Sequence, residues 1–485
     1  MSVPPNLYTD AHIRARMTEF LGGSSLESAT AVYLADQEDD IVWRWSARPV
    51  SDLYYCLEDH RDLTRSLWDR EYLLIHLDVE YVNFDFPGEP YLDPERSFEL
   101  QAPVVESIYT TLNQLGIRCL HLLSGRGHHF VWQIHQTSEA FRRLTEFGHI
   151  LPSLEKRYAE IESPSGERVT EVLARAFAGL GQVIEFLAHR IQESAAVGCR
   201  IPVQITDLVV GPVERGREIV CLDISEYGDP LHTRKTGLPF STYQKPERRR
   251  PQIGEHVVTQ LPTLFVVPVS REVPIALGIR AMRNVDDVLR IARETSTFIP
   301  TQDDGTATLI EEYTKSDLAR FHRWFYSQEH DPPEKWPASY DRTPLELLPK
   351  CVRIILEEPN DHLLNLSYIQ LLTRSLLAFG WHPRHIAGLI RSKYERDFGW
   401  GDRWRFYDPA FRADFYTRLF AGLIQVGRDE GVDFTCWSTK EKGQCIQPNV
   451  GCAIDEFKES LLLRRKHERM ACRPFNRLLL PEKHS

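Results

Sequence analysis

The sequence predicts an α+β unit followed by an all-α unit. Strand-length apolar runs, rich in β-branched and aromatic residues, alternate with helical periodicities up to about residue 265. From about Leu347 onward the apolar positions recur at helical spacing, apart from one cysteine-bearing loop. Between these parts lie a helical, charged stretch over 274–326 and a Pro-rich polar segment over 331–343, which read as a connecting region. The expected boundaries are 1–270 for the α+β unit, with a helical insertion over about 138–200, then 271–345 for a helical linker region. The all-α unit follows over 346–460, and a basic tail over 461–485.

Taken in order, the elements begin with a strand over 72–77, which delivers the acidic pair Asp78 and Glu80. A helix starts near Pro103, with Val104, Ile108, Leu112 and Leu115 at helical spacing and Gly116 as its stop. Two strands, 117–123 and 130–134, flank the turn Ser124-Gly125-Arg126-Gly127. A helical stretch over 138–196 interrupts the sheet, which resumes at 203–210 and 218–224. In the last third, helices are expected over 366–379 with Gly380 as stop, over 383–390 with Pro383 in the first turn, and over 410–426.

The net charge of -11 argues against a general polyanion binder, yet basic residues concentrate locally. Arg234, Lys235, Lys245, Arg248, Arg249 and Arg250 crowd one stretch, and Arg464, Arg465, Lys466, Arg469 and Arg473 the tail. Each fits a solvated face or a strand-binding stripe. No apolar run approaches the ~18 residues that span a bilayer, and no amino-terminal signal pattern is present, so the expectation is a cytoplasmic protein with no membrane partner.

Asp78 and Glu80 are two apart on a strand, which puts both on one face. Asp223 lies in a later apolar run, where an unpaired carboxylate is costly. Three such acids suit hard divalent cations, Mg²⁺ or Mn²⁺, which take carboxylate and phosphate oxygens. In the Ser-Gly-Arg-Gly turn the glycines allow positive φ and close backbone approach, and Arg126 and His129 stand beside it. A plain hairpin and an anion-binding turn both fit those residues. His128 and His129, being adjacent, fall on opposite faces, so replacing His128 is expected to disturb nucleotide binding less than replacing His129.

Nine cysteines in a chain of this kind point to metal, reactivity or burial rather than disulfides. Cys56, Cys119, Cys199 and Cys221 read as core or incidental. Cys351, Cys436, Cys445, Cys452 and Cys472 fall in the last third without a Cys-x-x-Cys, so zinc-ribbon spacing is absent. A metal site and chance cysteines both remain open on composition alone.

The order acid-x-acid, Ser-Gly-x-Gly-x-His-hydrophobic, then hydrophobic-Asp resembles the archaeo-eukaryotic primase superfamily over Leu73 to Lys245. Arg234 through Lys245, with Pro239 and Ser241, is similar to the Arg…Pro-x-Ser…Lys region of that family. The sequence departs from it in having Asp-x-Glu for Asp-x-Asp and in a longer gap between arginine and proline. The resemblance implies an RRM-like sheet carrying metals on Asp78, Glu80 and Asp223. It implies an incoming nucleotide held by Ser124, Gly125, Arg126, Gly127, His129, Arg234, Ser241 and Lys245.

From Leu347 to Phe457 the chain resembles the iron–sulfur domain of the primase large subunit. The resemblance rests on Leu348-Pro349-Lys350-Cys351, Asp361-His362-Leu363-Leu364-Asn365, Leu376-Leu377-Ala378-Phe379-Gly380-Trp381 and the three-cysteine loop. It implies a [4Fe–4S] cluster on Cys351, Cys436, Cys445 and Cys452, with Zn²⁺ as the alternative metal and Cys472 outside the pattern.

The implied function is a DNA-dependent primase or primase-polymerase: template-directed nucleotidyl transfer from nucleoside triphosphates on single-stranded DNA. A helicase, or another replication or defence protein, is the expected partner class. The alternatives are a primer-extending polymerase of the same superfamily, and a non-catalytic nucleic-acid-binding redox sensor. A rolling-circle initiator would need His-hydrophobic-His and a nucleophilic tyrosine, and the adjacent His128-His129 pair does not supply that pattern.

Overall fold

The computed structural model describes residues 7–37, 45–209, 217–357, 359–396, 398, 400–401, 404, 406–445 and 454–471. Ten strands are present among them: β1 (Leu34–Asp36), β2 (Ser46–Arg48), β3 (Leu63–Ser66), β4 (Tyr72–Asn83), β5 (Leu120–Ser124), β6 (Gly127–His135), β7 (Val203–Ile205), β8 (Glu218–Asp223), β9 (Lys235–Gly237) and β10 (Val267–Val269). They form two sheets, a six-stranded one in the order β10-β5-β6-β4-β8-β7 and a four-stranded one in the order β2-β1-β3-β9. Neighbours are antiparallel except β7 and β8, which run parallel. The smaller sheet was not expected, because its strands are only three or four residues long and show no clear alternation.

The chain divides into two compact units, 1–207 with 218–311, and 208–217 with 312–485. The stretch expected as a helical linker is thus shared between them. Residues up to 311 belong to the sheet unit: Gln133 N–H donates to Pro300 O (3.0 Å) and Trp132 Nε1 to Thr306 Oγ1 (3.2 Å). The Pro-rich segment is not a bare connection either. It forms 3₁₀ turns at Pro333–Ala338 and Tyr340–Arg342 that bury Trp336 and Tyr340. Two large aromatic rings are what hold this proline-rich chain to the second unit, Tyr340 meeting His385 and Trp336 lying under Arg391.

In the sheet unit, β4 runs on to Asn83 rather than ending before the acids, because β6 and β8 pair with it on both sides. Asp78 and Glu80 are therefore interior strand residues. The helix expected to start near Pro103 begins at Pro94, where the Asp93 carboxylate accepts from Arg96 N–H (3.1 Å). Proline at the first helical position explains the true start, and Pro103 sits inside the helix without an N–H to give. Gly116 and Gly380 end their helices in left-handed φ, as expected. The stretch after Ser138 is three helices, Glu139–Phe147, Pro152–Glu160 and Glu171–Ala196.

Helix Pro94–Gln114 packs on the face of the large sheet carrying Tyr81, His128 and Phe130, through Arg96, Phe98 and Tyr109. Helix Glu171–Ala196 lies beside it, where Ser107 Oγ donates to Ile191 O (3.1 Å). That second helix is apolar and long enough to cross a bilayer, which the sequence reading did not expect, and 83% of its apolar window is buried in the fold. Side chains alternate along β4, so Asp78 and Glu80 lie on the face opposite the one that helix Pro94–Gln114 packs against.

Among its described residues the second unit contains only helices. Its interior holds Arg384, whose guanidinium pairs with Asp414, and Asp414 in turn accepts from His330 Nε2 (2.6 Å). Arg374 donates through Nε and Nη2 to the Asp429 carboxylate (2.8 Å each) and reaches Asp433.

Candidate functional site

The site lies on the other face of β6, β4 and β8, where His76 and Glu80 are buried and Asp78, His129 and Asp223 are half-buried. Residues directly opposite on neighbouring strands point to the same face. Asp78 stands opposite His129 on one side and Asp223 on the other. Glu80, one pleat further, stands opposite Gly127 and Cys221, and His76, one pleat back, opposite Val131. Strand pairing alone therefore brings together His76, Asp78, Glu80, His129 and Asp223.

Two carboxylates directly across a ladder repel, and burial makes that worse. Burial, then the charge of Glu80, pushes the Asp78 carboxyl well above its ordinary value. Asp78 Oδ1 is buried without a hydrogen-bond partner, its nearest cation-forming neighbour being His129 Nδ1 at 3.6 Å. Burial raises Asp223 to about 6 even though Ser225 N–H donates to its Oδ1 (2.9 Å). Glu80 is in the opposite condition. Burial would raise it, but Arg126 and Lys245 outweigh burial and hold it far below the usual carboxylate range. Arg126 Nη2 takes Oε2 and Lys245 Nζ takes Oε1 (2.7 Å), so both oxygens are engaged.

The hairpin that carries Arg126 is a two-residue connection, with Ser124 paired to Gly127. Neither of its glycines adopts positive φ, contrary to expectation. Sterics require them instead. A Cβ on Gly125 would sit 2.5 Å from the Tyr243 ring, and one on Gly127 would sit 2.1 Å from Val79 O. Ser124 is buried, with Oγ turned back toward Gly127 O (3.5 Å).

The other expected nucleotide contacts divide. Lys245 reaches the site through Glu80. Ser241 does not: its hydroxyl donates to Leu238 O (2.6 Å) inside its own turn, beside Phe240 in left-handed φ. Arg234 is held by Asp229 (3.0 Å) and Thr233 at the edge of the small sheet. His128 belongs to the core of the helical face, between the edge of Phe98 and the ring of His121, whose Nε2 lies 2.8 Å from its Nδ1. The basic run also separates: Arg248 pairs with Asp62 and Arg250 with Glu247 and Glu255.

Sequence reasoning missed a chain of groups behind His129. Glu226 meets His76 Nδ1, and His76 Nε2 lies 3.0 Å from His129 Nδ1, the two rings stacked 5.1 Å apart. Burial and His76 lower His129 to about 3, so it is neutral. Tyr227 Oη both donates to His76 O and accepts from His76 N–H (2.9 Å each), replacing the ladder partner that β8 no longer provides. The available signal was spacing: Glu226 and Tyr227 follow Asp223 by three and four residues, and His76 precedes Asp78 by two.

Among the described residues no three His, Cys, Asp or Glu side chains form a ready-made metal-binding group. For a divalent cation the donors still fit in character: a partnerless buried oxygen on Asp78, the adjacent Asp223 carboxyl, and Glu80 one pleat away. Of the expected cluster ligands, Cys351 is buried on helix Lys350–Glu357, Cys436 opens helix Cys436–Glu441 after the Thr435 cap, and Cys445 is half-buried. Those three do not by themselves make a metal-holding group. Cys452 and Cys472 lie outside the described residues. Comparison of the chain with protein-family models, with curated proteins and with solved structures finds no match.

Proposed function

We propose that the sheet unit is a template-directed nucleotidyltransferase, a primase or primase-polymerase acting on single-stranded DNA with nucleoside triphosphates. The observation that carries this reading is the register of Asp78 against Asp223, two half-buried carboxylates face to face with Arg126 and Lys245 one pleat away. Uncompensated, that pair destabilises the fold; beside a divalent cation it becomes favourable. Asp78, Asp223 and Glu80 would hold Mg²⁺ or Mn²⁺, which when bound activates a 3′-hydroxyl and stabilises a leaving pyrophosphate.

The chain's own groups account for the remaining tasks. Arg126 and Lys245 offer two cations to the triphosphate, at present shared with Glu80. A triphosphate that draws them away frees both Glu80 oxygens. Burial first and His76 second keep His129 neutral, and His76, itself held by Glu226, fixes it at the edge of the site. In the second unit the same reading places a [4Fe–4S] cluster on Cys351, Cys436, Cys445 and Cys452, and no step of the transfer is drawn through it.

The test is extension of labelled nucleotides on unprimed and primed single-stranded DNA, with Mg²⁺ and Mn²⁺ in separate reactions. Products on both templates are expected from the wild type and none from Asp223→Ala. Products on the primed template alone would restrict the activity to extension, and no product on either would overturn the reading.

A further inference from the structure

Of the three consecutive arginines after the site lysine, two are spoken for. Arg248 pairs with Asp62, which is itself buried, and Arg250 is shared between Glu247 and Glu255. Arg249 makes no ion pair or side-chain hydrogen bond among the described residues, and it is half-buried rather than solvated. Its backbone fixes its direction. Lys245–Arg248 is one helical turn, and Arg249 N–H closes it by donating to Lys245 O (3.0 Å). Residues four apart on such a turn share a side. Lys245 on that side reaches Glu80 at 2.7 Å, so Arg249 lies on the side of the turn that faces the site. The electrostatics agree: Arg249 lowers Lys245, behind burial and Arg126, and acts on Tyr91 next to the hairpin.

The three cations around Glu80 are therefore unequal. Arg126 and Lys245 share the single carboxylate of Glu80 at ion-pair distance, whereas Arg249 makes no ion pair among the described residues, and Asp207 is a carboxylate it acts on only at longer range. A half-buried guanidinium without an acceptor is costly unless a ligand supplies one, and its planar fork matches phosphate oxygens. We infer that Arg249 is a phosphate-binding residue of this site, sharing a helix side with Lys245 and contacting a phosphate that neither Arg248 nor Arg250 can reach. The inference rests on the proposed nucleotidyl-transfer reading and deepens it by naming a ligand contact. Two sources carry that chemistry, the tail of a nucleoside triphosphate and the phosphodiester of a bound strand.

Arg249→Ala and Arg250→Ala are compared with the wild-type chain in two binding measurements without turnover. One follows a nucleoside triphosphate with a methylene bridge between its α and β phosphates. The other follows a fluorescent oligothymidylate across a NaCl series. Loss of one charge-assisted contact is expected to weaken binding about tenfold or more in at least one arm for Arg249→Ala. Arg250→Ala should stay within about twofold in both, its charge being already neutralised. Weaker triphosphate binding assigns the contact to the nucleotide. Weaker oligonucleotide binding, with the salt slope reduced by about one, assigns it to the strand. Wild-type affinity of Arg249→Ala in both arms, in protein that incorporates nucleotides, overturns this inference alone. A wild-type chain that binds neither probe overturns it together with the functional reading. An effect of Arg250→Ala equal to that of Arg249→Ala would return the whole run to general surface charge.

Discussion

Replacing Asp223 by asparagine should stabilise the metal-free protein. The change keeps shape, and the amide oxygen can still accept from Ser225 N–H, so what it removes is one negative charge opposite Asp78. In the folded chain the Asp223 carboxyl is raised from 3.8 to about 6. At ~1.36 kcal/mol per pH unit, holding it ionised above that value costs the fold about 3 kcal/mol. Part of Asp223 remains in contact with water, which screens the charge, so a gain of ~1–2 kcal/mol is expected. For a unit of this size that is a rise in Tm of roughly 2–4 °C per kcal/mol.

The pH dependence has a definite direction. Below about 3.8 the group is protonated in both the folded and the unfolded chain, and the penalty is absent. It grows as pH rises from 3.8 to about 6 and is complete above that. The gap between Asp223→Asn and wild type should thus be widest near neutral pH and close as the pH falls toward 4. The assay is thermal melting in EDTA at several pH values, repeated with Mn²⁺. By mass action a cation at 100 times its Kd adds about 2.7 kcal/mol, and this gain should appear in the wild type and largely vanish in the variant. A variant that melts at or below the wild-type temperature in EDTA at neutral pH would refute the electrostatic argument. An unchanged response to Mn²⁺ would remove Asp223 from the cation site.

Three further outcomes are expected. Gly127→Ala should cost several kcal/mol, because its Cβ would fall 2.1 Å from the Val79 carbonyl in the β4–β6 ladder, whereas Gly125→Ala meets side chains, the Tyr243 ring and Leu264, and should be milder; chemical denaturation orders the two. His128→Ala should destabilise the fold by ~2–4 kcal/mol by opening a cavity beside Phe98, while His129→Ala should raise the apparent KM for nucleotide with less change in stability, and equal behaviour of the two would count against the assignment. Protein purified without oxygen should be brown, with about four irons and four sulfides per chain, whereas a colourless protein with one zinc would replace the cluster by a zinc site.

Several features were legible in the sequence because they follow from local rules. Period-two geometry placed Asp78 and Glu80 on one face, and adjacency placed His128 and His129 on opposite faces. Gly116, Gly380 and Pro383 marked helix ends through backbone chemistry that needs no tertiary partner. Composition and periodicity likewise separated a mixed α/β part from a helical one. The extent of β4 was not legible, since a strand continues as far as its neighbours pair with it, and β6 and β8 come from distant sequence.

Only the tertiary structure decided which charges meet. Asp78 and Asp223 are 145 positions apart in the sequence and become opposite residues solely through strand register. The same folding turned Ser241 into its own loop, gave Arg234 to Asp229, and separated Arg249 from the arginines on either side. It also supplied Glu226 and His76, which no motif singled out, as the groups behind His129. The reason is physical: a residue's type and its local backbone are properties of the chain nearby, whereas a buried charge takes its pKa and its partner from whatever the fold packs against it.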